Sequence, residues 1–211
     1  PFWRTWRSPK PPSLKSIRPM NDRRHVPKTA RTLIKKWEGF EQHAYEDVVG
    51  VPTIGYGFTA PALERIGLAF PSHINQKRAD RILDTLLEVH YAPRIELLIE
   101  PRLAPHQLGA LCSFCYNVGI GAFRSSTLRE LLNAGREEEA EQEFGRWVYA
   151  GGEVYEGLRK RRADERAYFE ADEGLPVAWE DVERVPTRSV EPLDTPMDLD
   201  DLIPNRIPTD A

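Results

Sequence analysis

Glu38, Asp47 and Thr53 lie nine and six positions apart in a segment that runs Glu38-Gly39-Phe40, Tyr45-Glu46-Asp47 and Thr53-Ile54-Gly55-Tyr56-Gly57. Two carboxylates held across a cleft are the minimum equipment for cutting a glycosidic bond. One protonates the leaving oxygen. The other activates a water or steadies an oxocarbenium-like transition state. Glu38 is predicted at the C-terminal end of a helix, where the dipole disfavours a negative charge, with Trp37 and Phe40 beside it to shield it from water. Both effects favour the protonated carboxyl that a general acid needs. Asp47, ahead of the Gly50 turn, faces back across the gap, and the Thr53 hydroxyl is placed to hold a water there. Each residue also has a plainer reading: a surface glutamate, an aspartate bonding its own turn, a β-branched strand residue. Taken singly the plainer readings prevail, and only the joint spacing points to catalysis.

The elements that must position these residues follow from apolar periodicity. Leu33, Ile34 and Trp37 give a short first helix its inner face, stopped by Gly39. Gly50, Pro52, Gly55 and Gly57 among alternating apolar residues between Ala44 and Phe58 mark a small twisted sheet with tight turns. From about Asn75 the spacing of Ile82, Leu83, Leu86, Leu87 and Val89 is helical, with Pro93 expected to break or bend that helix. A further helix is expected from Pro105 through Leu108, Leu111, Cys112 and Cys115 to Gly119. Thr127 with Glu130 reads as a capping box opening a helix that stops near Gly135. Two more are expected over Glu137 to Trp147 and Leu158 to Ala171. The order predicts an α+β fold, mainly helical, with a small antiparallel sheet near the N-terminal end.

The run Ala44-Tyr45-x-Asp47-x-x-Gly50-x-x-Thr53-Ile54-Gly55-Tyr56-Gly57 after Glu38 resembles the phage-type lysozymes, glycoside hydrolase family 24. The likeness continues through Phe114-Cys115-Tyr116-Asn117-Val118-Gly119, Gly121 to Leu128, Gly151-Gly152 and Gly157-Leu158-Arg159 to Arg162, and covers about residues 29–171. It implies a lysozyme-like fold and a muramidase acting on peptidoglycan glycan strands, with inversion favoured and no cofactor or metal. Carried over, Glu38 is the general acid, while Asp47 and Thr53 position the attacking water. The resemblance also implies sugar contacts at Asn117 and Tyr116, and an arginine near the catalytic glutamate, best matched by Arg159. Many members have histidine after Thr-Ile-Gly-Tyr-Gly; here Phe58 stands there, which puts local packing in question more than activity.

At 211 residues the chain holds one ordinary domain with appendages, and its 40% hydrophobic residues can build a core. No run approaches the roughly 18 apolar residues of a membrane helix, and Pro1 to Arg7 lack the continuous apolar stretch of a secretory signal. Charge divides the chain. Residues 1–28 carry eight Lys/Arg against one Asp, residues 172–211 eleven Asp/Glu against three Arg, and each tail has six of the 18 prolines. Such segments tend not to fold alone. The reading is a basic arm at 1–28, a domain at 29–171 and an acidic arm at 172–211.

Cys112 and Cys115 on an apolar helical run read as small buried side chains rather than a redox or zinc motif. Arg159-Lys160-Arg161-Arg162, followed by Asp164 and Glu165, reads as a solvated helix face plus one cleft arginine, not a nucleic-acid patch. Phe2, Trp3 and Trp6 interleaved with Arg4 and Arg7 suit docking to a partner. The arms are thus expected to hold a virion enzyme to phage tail or baseplate proteins. The competing expectations are a free holin-dependent endolysin, in host cytoplasm before release to the periplasm; a lytic transglycosylase; and an inactive peptidoglycan-binding module.

Overall fold

Pro27 has an extended backbone at the entry to the first helix, α1 (Lys28–Glu38), whose apolar stripe of Ala30, Leu33 and Ile34 is wholly buried. The helix stops at Gly39, whose N–H reaches the Lys35 carbonyl at 3.3 Å and whose φ of 72° opens the chain toward the sheet. A residue with a Cβ is strained there, so Gly39 sets both the end of the helix and the direction of exit. The computed structural model describes residues 25–47 and 50–171. The arms expected at 1–28 and 172–211 lie outside the described residues, apart from residues 25–28. The Val26 N–H donates to the Glu88 carboxylate at 2.9 Å, and His25 Nδ1 lies 3.1 Å from the same oxygen.

Three antiparallel strands follow, β1 (Glu41–Glu46), β2 (Pro52–Gly55) and β3 (Phe58–Thr59), in that order across the sheet. Tyr45 stands opposite Thr53, and Ile54 opposite Phe58. The outer strand β1 is exposed along its length, while β2 buries Thr53, Ile54 and Gly55. Phe58, the departure from the resembled pattern that put local packing in question, is fully enclosed and meets Tyr56 edge-on at 6.0 Å. It lies so close under Gly55 that a Cβ there would come within 2.6 Å of the ring. The aromatic fills its place, and the packing is sound.

A short α2 (Ala60–Glu64) leads to α3 (Gln76–Thr85), whose first turn is closed by the Asn75 side chain accepting the Arg78 N–H at 2.9 Å. Pro93 does not break the helical run. The stretch Leu86–Tyr91 widens to a π-helix and passes into α4 (Ala92–Leu98), the Ala92 N–H bonding five residues back to Leu87. Pro93 therefore sits in a first turn, where a missing N–H costs little.

The centre of the fold is α5 (Pro105–Val118), buried on every side from Leu108 to Cys115 and flanked by α1 and by α9 (Glu156–Glu170). Both cysteines are free and fully buried, and burial pushes both thiols well up. Between α5 and α9 come α6 (Ile120–Arg124), α7 (Thr127–Asn133) and α8 (Glu137–Glu143). The cap of α7 is Ser126, which accepts the Arg129 N–H at 3.1 Å, so the expected Thr127–Glu130 box is displaced by one residue. The helix expected to reach Trp147 ends at Glu143 and tightens into a 3₁₀ turn, Phe144–Arg146. A hairpin of β4 (Tyr149–Ala150) and β5 (Glu153–Val154) follows, turned by Gly151-Gly152. Adjacent glycines with positive φ are the signature of such a turn, so the signal was present in the sequence. Among the described residues no helix is long and apolar enough to cross a membrane.

Candidate active site

Because α1 ends at Gly39, its last residue projects beyond the helix toward α9. There Arg161 Nη1 donates to Glu38 Oε1 at 2.7 Å. The arginine side chain is 5% exposed and the glutamate 21%, so the carboxyl sits at the boundary between interior and solvent. Burial works against the Arg161 charge, but Glu38 and Glu165 more than offset it and hold the guanidinium above its ordinary pKa. Gly57, in the turn between β2 and β3, lies against the other Glu38 oxygen; an added Cβ would stand 3.5 Å from Oε2.

Asp47 is held by the loop that joins β1 to β2. Its Oδ1 accepts the Val51 N–H at 2.8 Å, and its own N–H donates to the Val51 carbonyl at 3.0 Å. Gly50 closes the turn by donating to the Asp47 carbonyl at 2.9 Å. Thr53 is buried and donates its hydroxyl to the same Val51 carbonyl at 3.0 Å. Asp47 and Thr53 are thus tied to one residue, and both do what a turn aspartate and a strand threonine ordinarily do. What makes them more than that is their setting. Tyr45, opposite Thr53 across the sheet, feels both Glu38 and Asp47; burial raises its pKa first, and the charges of Glu41, Glu38 and Asp47 add to the rise. The charges of Glu38 and Asp47 thus both act on one exposed tyrosine, a residue to which the spacing argument assigned no part.

Tyr116, near the end of α5, is half-buried. Its hydroxyl donates to the Tyr56 carbonyl at 2.6 Å, and its ring packs on Tyr91 with centroids 5.4 Å apart. What it can offer a ligand is ring rather than hydroxyl. Asn117 follows it, also half-buried. Burial raises both Tyr116 and Tyr91, with the charge of Glu38 contributing to each.

The arginine expected beside the glutamate at Arg159 is elsewhere. Arg159 is exposed and pairs with Glu156 on its own helix at 3.1 Å. Two residues on a helix are about 200° apart, so Arg159 and Arg161 cannot share a face. The inner stripe of α9 is Leu158, Arg161, Arg162, Glu165, Tyr168 and Phe169. Nor is the basic run a solvated face with one cleft arginine: Arg159 and Lys160 are exposed, Arg161 and Arg162 are not. The signal was available, because Leu158, Glu165, Tyr168 and Phe169 continue the stripe that Arg161 and Arg162 occupy.

A family model described as phage lysozyme matches residues 35–165. The chain is 38% identical over 151 residues to an endolysin of Bacillus phage B103, covering 70% of this chain and 55% of the relative. It spans about half the length of that protein and of the similar Bacillus phage PZA endolysin. Among solved structures, P22 lysozyme mutant L86M is 30% identical with a TM-score of 0.62, covering 70% of this chain and 99% of that one. The muramidase domain of SpmX from Asticaccaulis excentricus is 31% identical, also with a TM-score of 0.62, covering 71% of this chain and all of the other. With the helix-end glutamate, the three-stranded sheet and the family match all falling on one stretch, the chain belongs to the phage lysozyme family.

Proposed function

We propose that residues 29–171 form a muramidase domain that hydrolyses the β-1,4 bond between N-acetylmuramic acid and N-acetylglucosamine in peptidoglycan. The observation that carries this reading is Glu38, held by the buried Arg161 at the edge of solvent, with Asp47 and Thr53 pinned through Val51 where β1 turns into β2. Glu38 acts as the general acid on the leaving oxygen. Asp47 and Thr53 position and activate the water, which suits inversion, a geometry that leaves room for a water between carboxyls about 6.5–9.5 Å apart. The Tyr116 ring and Asn117 contact the glycan.

The test is product analysis after the intact chain acts on purified peptidoglycan. New reducing ends that appear first as the inverted anomer support the reading. Ends carrying 1,6-anhydro sugars indicate a lytic transglycosylase. Binding without cleavage indicates a wall-recognising module.

Residues 1–28 and 172–211 serve, in this reading, as docking arms that hold the domain to tail or baseplate proteins of a virion. The support is their opposed charge and shared proline content, which suit ordering against partner surfaces better than folding alone. Removing residues 1–24 and 172–211, which leaves the contacts of Val26 and His25 intact, is expected to preserve specific activity and abolish incorporation into particles. Unchanged incorporation would leave the free endolysin as the better reading.

A further inference from the structure

The inner stripe of α9 carries more charge than a partner for Glu38 requires. Glu165 is fully enclosed. One of its oxygens accepts from Ser113 Oγ at 2.8 Å, Arg161 Nε at 3.1 Å and Arg162 Nη2 at 3.0 Å. The other lies 2.7 Å from Arg162 Nε. Arg161 spends its remaining nitrogen on the Ser113 carbonyl at 3.4 Å, and the Arg162 guanidinium lies 5.0 Å from the centre of the Phe114 ring. In this cluster the Glu165 carboxylate offsets one of the two arginine charges, and Glu38 faces the other. Burial draws Arg162 down to about 10, the cost of enclosing a second cation here. Such a cluster is expensive unless every charge is paired, and its loss of one member is felt by the rest.

We propose that Glu165 is a positioning residue for the Glu38 acid: it locks the Arg161 guanidinium in place and neutralises Arg162, so that Glu38 faces one net cation less than the two arginines would present. This rests on the muramidase reading. The other titratable groups facing Glu38 are Tyr45 from β1, Tyr91 from the π-helical stretch and Tyr116 from α5, all raised by burial and therefore neutral through the acid and neutral range. Asp47 faces the same Tyr45. On its own helix, Lys35 is taken by Asp80 at 2.8 Å and Lys36 by Asp164 at 2.6 Å. Among the described residues, the charges linked to Glu38 through contacts are Arg161 and, through it, Glu165 and Arg162, while Asp47 acts on the same Tyr45.

The sign of each change follows. With Glu165 neutral, both arginines favour the Glu38 anion, and the acid loses its proton at lower pH. With Arg162 removed, the Glu165 charge is less offset and the proton is kept to higher pH. The experiment uses the intact chain as Glu165→Gln, Arg162→Met and the charge-balanced double variant. Two readouts are taken: the pH profile of kcat/KM on purified peptidoglycan, and the ¹³C NMR titration of the Glu38 side-chain carboxyl. Glu165→Gln is expected to move the alkaline limb and the Glu38 titration down by about one pH unit, the scale of a nearby charge. Arg162→Met is expected to move both up by a similar amount, and the double variant to return close to the parent. Should Glu165→Gln not fold, Arg162→Met against the double variant measures the same coupling. Titrations that do not move, or that move in the same direction in both single variants, overturn the proposal and leave Glu165 a structural residue. A parent inert on peptidoglycan overturns the muramidase reading instead, and the NMR titration still decides the role of Glu165.

Discussion

Glu38→Gln in the intact chain is expected to clear purified peptidoglycan about 10²–10⁴-fold more slowly than the parent, the loss that usually follows removal of a general acid. The amide keeps the shape of the carboxyl and can still accept from Arg161 Nη1, so the geometry around the α1 terminus and Gly57 should survive. What disappears is the proton for the leaving oxygen. The substitution also leaves Arg161 with Glu165 as its one anionic partner, so the thermal midpoint is measured alongside activity to separate chemistry from folding. A variant that retains its fold and works within a factor of ten of the parent would mean that another group protonates the leaving oxygen. Asp47 would then be the candidate to reassign, because its charge acts on the same Tyr45 as that of Glu38 and it is fixed by the Val51 N–H.

The largest effect on stability is expected at Phe114. This ring is fully buried on α5, at the point where the last helices converge. It meets Phe123 at 6.3 Å, Phe144 at 5.3 Å and Trp147 at 5.3 Å, each close to edge-on, and the Arg162 guanidinium lies over its face. Phe114→Ala removes the shared partner of three rings and opens a cavity that no single neighbour can fill. Losses of about 3–5 kcal/mol are typical for this change in a core. At roughly 2–4 °C per kcal/mol for a chain of this size, the midpoint of thermal unfolding should fall by about 6–20 °C. Calorimetry of the two proteins checks it. A drop of only two or three degrees would show that the rings repack around the vacancy and that the aromatic cluster is less rigid than its geometry indicates.

Much of the framework could be read from local signals. Gly39 ends α1 because only a glycine accepts its backbone angle at low cost, and that one position brings Glu38 to the helix end. The alternation and turn residues from Ala44 to Phe58 announced the sheet, and the spacing of Leu108, Leu111, Cys112 and Cys115 announced the central helix. Where the reading failed on the framework, a nearby feature had been given too little weight. Pro93 was expected to break or bend its helix; the helical run is not broken, because the π-helical turn before it moved the hydrogen bonds by one residue and left the proline where its missing N–H costs little. The hairpin after the 3₁₀ turn was passed over because the apolar periodicity was carried on to Trp147, although Gly151-Gly152 marked the turn.

The residues proposed for the chemistry were singled out by type, spacing and family resemblance, because Glu38, Asp47 and Thr53 lie within sixteen consecutive positions; in the structure one turn ties the last two to Val51. The charge around Glu38 was not legible in that way. Arg161 stands 123 positions away, and its place beside the carboxyl depends on how α9 packs against α1 and α5. A basic run on a helix shows four similar cations in the sequence; the stripe through Leu158, Tyr168 and Phe169 hints which two turn inward, and the packed structure shows what they pair with. Glu165 has meaning only as the anion that makes burying those two possible. Backbone angles and short-range turns act within a few residues, so the sequence by itself determined the helix end, the sheet and the paired carboxylates. Burial and charge pairing act across the fold, and they were decided by tertiary structure alone.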